Sequence, residues 1–120
     1  MSNAWTDDMP TSVCVVDDDN YKDVLSGTGW VLVDLWAPWC GPCQQLKPAV
    51  EAVAHRYVGR VRVCGVNVDE APLLATKYDV QALPTLLLMR AGQLVHRQVG
   101  VLSQHALETI LDSFLGESIS

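Results

Sequence analysis

Two cysteines, Cys40 and Cys43, are separated only by Gly41 and Pro42. Sulfurs one helical turn apart can exist as a dithiol or as a disulfide, so such a pair can exchange two electrons with another disulfide. An apolar run precedes the pair, and apolar positions at helical spacing (Leu46, Ala49, Val50, Val53, Tyr57) follow it. Cys40 is therefore predicted to start a helix, where unpaired backbone N–H groups and the positive end of the helix dipole favour a thiolate. The thiolate is the nucleophile. Pro42 suits a first helical turn, because its missing N–H would have had no partner there. Cys43, one turn further on, is expected to be more sheltered. On this reading Cys40 attacks a target disulfide and Cys43 resolves the mixed disulfide.

A structural zinc site would need a second pair of ligands. Cys14 and Cys64 stand alone in apolar runs, and His55, His96 and His105 are scattered. No metal is expected. Cys14 and Cys64 read as buried thiols behaving as small hydrophobes, with a regulatory second disulfide as the alternative.

Asp34 interrupts the otherwise apolar run from Trp30 to Trp36. That run has the pattern of a central strand covered on both faces, so its carboxyl should be desolvated and its pKa raised. A group of that kind beneath a dithiol can exchange protons with Cys43 during resolution.

The elements that must position these residues follow from periodicity. Val13 to Val16 reads as a strand, and one of Asp17, Asp18 and Asp19 as the cap of a short helix carrying Tyr21, Val24 and Leu25. Trp30 to Trp36 and Val61 to Val66 are strands, with the Cys40 helix between them and Pro48 inside it as an expected bend. Asp69 can cap a short helix through Tyr78, with Pro72 in its first turn. Thr85 to Met89 and Leu94 to Val99 should form a hairpin about Ala91 and Gly92. Ser103 should cap a last helix with the stripe Leu107, Ile110, Leu111, Phe114 and Leu115, ended by Gly116. The order βαβαβαββα describes one α/β domain.

Composition agrees. The 120 residues are 49% hydrophobic and 18% charged, enough for a packed core without staples. Residues 1–10 read as a flexible lead-in, and 11–120 as a single domain. A net charge of −6 disfavours nucleic acid as a partner. No apolar run approaches a membrane span, and Asp7 and Asp8 stand where a secretory signal would be basic, so a cytoplasmic location is expected.

From about Val13 to Leu115 the sequence resembles the thioredoxin family. The likeness is carried in order by Val33-Asp34-Leu35-Trp36-Ala37, Trp39-Cys40-Gly41-Pro42-Cys43, Pro48, Leu83-Pro84-Thr85, Gly92 and Gly100. It implies a thioredoxin fold, with a central mixed five-stranded sheet and helices on both faces. It also implies a monomeric protein-disulfide reductase without a cofactor of its own, acting on disulfide-containing client proteins in cell redox homeostasis. Thioredoxin reductase would recharge it with NADPH electrons. Cys40 would be the nucleophile, Cys43 the resolving cysteine and Asp34 the buried proton-transfer group. The Leu83–Pro84 bond would be cis, leaving the Leu83 backbone free to pair with an extended substrate. Trp39, Gly41, Pro42, Leu83, Pro84, Gly100 and Val101 would form the docking surface, and Trp36 would flank the site or belong to the core. Three positions depart from the family pattern: Leu35 replaces Phe, Gln44 replaces a cation, and Gly65 stands where many relatives place a lysine facing the aspartate. A reductase dedicated to one client, or an assembly factor using the same surface for binding, remain alternatives.

Overall fold

The computed structural model describes residues 13–116, so the lead-in expected at residues 1–10 lies outside the described residues. The elements are β1 (Cys14–Val15), α1 (Tyr21–Leu25), β2 (Trp30–Trp36), α2 (Gly41–Arg56), β3 (Val61–Asn67), α3 (Pro72–Lys77), β4 (Thr85–Arg90), β5 (Gln93–Val99) and α4 (Gln104–Leu115). They form one five-stranded sheet in the order β1-β3-β2-β4-β5. β3 runs parallel to both β1 and β2, whereas β4 is antiparallel to β2 and β5. This is the mixed sheet of the thioredoxin fold.

Two cores lie on the two faces of this sheet. Leu32 and Trp36 of β2 pack with Leu46, Val50 and Val53 of α2 and with Leu107 and Leu111 of α4. Val31, Val33 and Leu35 point the other way, toward Leu25 of α1 and Leu74 of α3. Successive side chains of a strand alternate between faces, so Asp34 shares the α2 side with Leu32 and Trp36. Double-sided burial explains why β2 is apolar at every position except that one.

Local signals that depend only on neighbouring residues act as expected. The Ser103 hydroxyl accepts the Ala106 N–H at 3.1 Å, and Gly116 ends α4 in the left-handed region with φ 73°. Ala91 (φ 52°) and Gly92 (φ 79°) turn the hairpin, both with the positive φ of a type I′ turn. α2 continues through Pro48 to Arg56, and Pro48 is exposed, so the missing hydrogen bond lies on the outer side.

The acidic caps behave differently. Asn20 is the N-cap of α1 and makes no side-chain cap. Asp17 instead accepts the N–H groups of Asp19 at 2.9 Å and Asn20 at 3.0 Å, closing a local turn. α3 starts at Pro72 and ends at Lys77, shorter than expected, with Ala71 at its N-cap. Its free N–H groups are met from afar: the Asp18 carboxylate accepts from Leu73 at 3.2 Å and Leu74 at 2.9 Å. Asp69 is thereby released from the capping role predicted for it.

Candidate active site

α2 begins where the chain leaves β2, and Cys40 is its N-cap, in extended conformation with φ −93° and ψ 108°. That conformation turns the Cys40 sulfur back over the helix start, where it accepts the Cys43 N–H at 3.2 Å. Gly41 and Pro42 form the first turn, and no acidic side chain stands in it to oppose a negative sulfur. The Cys40 and Cys43 sulfurs are joined as a disulfide across a Cα–Cα span of 5.3 Å. Their difference in exposure is smaller than the sequence suggests, 6% for Cys40 against 2% for Cys43. The asymmetry lies mainly in hydrogen bonding and in position on the helix. A thiolate at Cys40 faces the helix N-terminus, while Cys43 sits one turn inside.

On the α2 side of the sheet, Asp34 is fully buried, and neither carboxyl oxygen has a hydrogen-bond partner among the described residues. Its neighbours in register are Gly65 on β3 and Leu86 on β4, and neither brings a charge. Burial alone pushes its pKa up from 3.8 to about 8. This is the direction expected from an apolar strand with glycine at position 65.

Trp39 is 70% exposed, whereas Trp36 is 2% exposed and belongs to the core. The Trp39 indole Nε1 donates to both oxygens of Asp69, at 3.0 and 3.3 Å. The Asp69 loop is itself anchored to the end of β2, since Val68 N–H donates to the Trp36 carbonyl at 2.9 Å. Asp69 was legible in the sequence only as a helix cap. Its partner lies 30 residues away, and no local pattern reveals that.

Leu83–Pro84 is a cis peptide bond. Pro84 is buried, and its carbonyl accepts the Gly100 N–H at 3.0 Å, which ties the start of β4 to the residue that follows β5. Leu83 packs against the core cluster that holds Cys40 and Cys43. It also lines, with Trp39, Val68 and Ala75, an open groove of about 580 Å³. Gly41 and Val101 are exposed, and Gly100 is half-buried. Val101 lines a different hollow, with Gln45 and Pro48 of α2. The described residues contain no cluster of three or more acidic, histidine or cysteine side chains able to hold a metal.

Comparison with known proteins gives one consistent result. The family model described as Thioredoxin matches residues 12–113. A protein named Thioredoxin from Acidithiobacillus ferridurans is 44% identical over 108 residues, covering 89% of this chain and all of that one. Thioredoxin 1 from Nostoc sp. is 38% identical over 107 residues, covering 89% of this chain and all of its own. The chloroplastic Thioredoxin M5 of rice, Oryza sativa subsp. japonica, is 36% identical over 104 residues, covering 86% of this chain and 60% of its own.

Proposed function

The chain belongs to the thioredoxin family and is a dithiol–disulfide oxidoreductase, and from that premise we propose that it works as a general protein-disulfide reductase. The observation that carries this reading is the Cys40 sulfur capping α2 while Cys43 lies one turn behind it. In the reduced protein, the Cys40 thiolate attacks one sulfur of a client disulfide. The client S–S bond breaks, its second sulfur leaves as a thiolate, and Cys40 is left in a mixed disulfide. Asp34, ionised, takes the proton from Cys43. The Cys43 thiolate then attacks the Cys40 sulfur, the client sulfur held in the mixed disulfide leaves and is protonated, and two electrons have passed to the client.

Trp39, Gly41, Pro42, Leu83, Pro84, Gly100 and Val101 form the docking surface, and the Leu83 backbone pairs with an extended client segment. Thioredoxin reductase, using NADPH, returns the Cys40–Cys43 disulfide to the dithiol. Residues 11–120 act as one monomeric domain. Among the described residues no helix is long and apolar enough to cross a membrane, and the cytoplasm is the proposed location.

The test is insulin reduction with NADPH and thioredoxin reductase, coupled to trapping of clients by Cys43→Ser. Rapid turnover by the native chain and stable mixed disulfides through Cys40 are expected. Stable trapping by Cys40→Ser to the same extent would reverse the assigned roles. Binding of a partner that survives loss of both cysteines, with negligible insulin turnover, would replace the reductase by an assembly factor.

A further inference from the structure

The fold brings together two sulfurs that the sequence keeps 50 residues apart. The parallel register of β1 and β3 sets Cys14 directly opposite Cys64, and the two Sγ atoms are 3.2 Å apart. Register partners on neighbouring strands lie about 4.8 Å apart at Cα. A disulfide spans Cα separations of about 4.4–6.8 Å, so this pair fits without moving the strands. Only the sulfurs need to approach, by about 1.2 Å, to reach bonding distance.

The two thiols have unequal surroundings. Cys64 is fully buried in the core on the α1 and α3 side. Cys14 is half-buried on the edge strand and lines an open surface hollow of about 400 Å³ with Trp30, Val61 and Arg62. Arg62 precedes Cys64 by two residues on β3, so its side chain leaves the same face of the sheet, diagonal to Cys14. The shared S–H hydrogen bond with Cys64 comes first, then the guanidinium, in favouring charge on Cys14; together they outweigh burial and bring its pKa down to about 6. The same bond and burial push the Cys64 pKa up.

We propose that Cys14 and Cys64 form a second redox site, oxidised by small hydroperoxides to an intramolecular disulfide. The Cys14 thiolate attacks the terminal oxygen of the hydroperoxide. The O–O bond breaks, Cys14 becomes a sulfenic acid, and water or an alcohol leaves once the departing oxygen is protonated. Cys64 then attacks the Cys14 sulfur. The S–S bond forms and the S–O bond breaks, and hydroxide departs as water with the Cys64 proton. Two thiols have lost two electrons, and one peroxide has been reduced.

The site does not depend on the Cys40–Cys43 assignment, so its test silences that pair. Full-length protein carrying Cys40→Ser and Cys43→Ser keeps Cys14 and Cys64 as its thiols. It is treated with hydrogen peroxide beside free cysteine as an internal standard. Expected are loss of both thiols, a mass decrease of two hydrogens, and a non-reduced digest in which the Cys14 and Cys64 peptides are joined. Dithiothreitol should reverse all three changes. Adding Cys64→Ala should arrest Cys14 as a sulfenic acid that dimedone captures. Arg62→Gln should slow thiol loss about threefold to tenfold. The proposal is overturned if both thiols survive conditions that consume free cysteine. It is equally overturned if Cys14 proceeds to sulfinic acid while Cys64 stays reduced, or if the product is a covalent dimer through Cys14. Peptide mapping of the parent decides even if Cys64→Ala fails to fold.

Discussion

Cys40 and Cys43 are three residues apart and share one helical turn, whereas Cys14 and Cys64 are 50 residues apart and meet only because β1 pairs with β3. The first pair owes its reactivity to a local device, the end of a helix placed at the surface by β2. The second pair owes its contact to sheet register, and charge on Cys14 is favoured first by the hydrogen bond with Cys64 and then by Arg62 one step along the same strand face. The sheet keeps them apart: the first pair belongs to the core on the α2 side, and Cys64 to the core on the opposite side. Under the two proposals, sites with the same side chains would serve different partners: protein disulfides would dock at Trp39, and small oxidants would enter at the edge strand.

The most decisive way to break this separation is to delete one nucleophile at a time. Cys40→Ser should lower insulin reduction by at least about a thousandfold, because the covalent step has no other nucleophile there. Cys14→Ser should leave it within about twofold of the parent. A comparable loss in both would mean that the two pairs act as one.

Asp34 sharpens the contrast, because it should matter to one pair only. Asp34→Asn should slow release of the mixed disulfide by about tenfold to a hundredfold, followed by stopped-flow fluorescence, while leaving Cys14 alkylation unchanged. The same variant should alter stability with pH. Burial raises the pKa of the folded form from 3.8 to about 8, so the folded chain holds this proton more tightly than the unfolded one. The stability that this carboxyl contributes is fully present below its unfolded pKa and is lost as pH rises through about 8. Urea midpoints of the variant and the parent should diverge in favour of the variant over that range and then run parallel. A constant offset would mean that Asp34 ionises like a surface carboxylate.

Gly65 pairs with Asp34 on one side and Val15 on the other, so it sits between the two sites. Gly65→Lys should pull the Asp34 pKa down by roughly one unit, followed by carbon NMR of the carboxyl. An unmoved titration would show that charge at that position does not reach Asp34. The smallest loss of turnover is expected at Asp69. Asp69→Ala frees the Trp39 indole and should reduce client turnover about twofold to threefold, with a shift in tryptophan emission. An unaltered rate would show that the Asp69 contact with Trp39 does not affect client turnover.

Much of this was readable from residues whose partners are close in sequence. The Cys40 cap needs only the helix that follows it, the Ala91–Gly92 turn needs only its two strands, and Ser103 and Gly116 need only α4. Asp34 was readable because a lone carboxylate in a strand buried on both faces has few ways to avoid desolvation. Acidic residues near helix starts misled, because a tertiary partner can displace a local one. Asp69 bonds Trp39, and Asp18 reaches 55 and 56 residues ahead to the N–H groups of α3. The Cys14–Cys64 contact required the strand order itself. Alternating apolar residues predict that a strand exists, but which strand lies beside it is decided by the whole fold.

The placement of β1 at the sheet edge, paired only with β3 among the described strands, has a consequence while the chain is being made. Cys14 leaves the ribosome first, and its neighbour Cys64 follows 50 residues later. At roughly 5–20 residues per second, that interval is about 2.5–10 s. Throughout it Cys14 has neither its hydrogen-bond partner nor Arg62, and it behaves as an ordinary thiol. Sensitivity to oxidants at this position is thus acquired late in synthesis, and the nascent chain is spared a reactive sulfur until the sheet that can close it into a disulfide has been built.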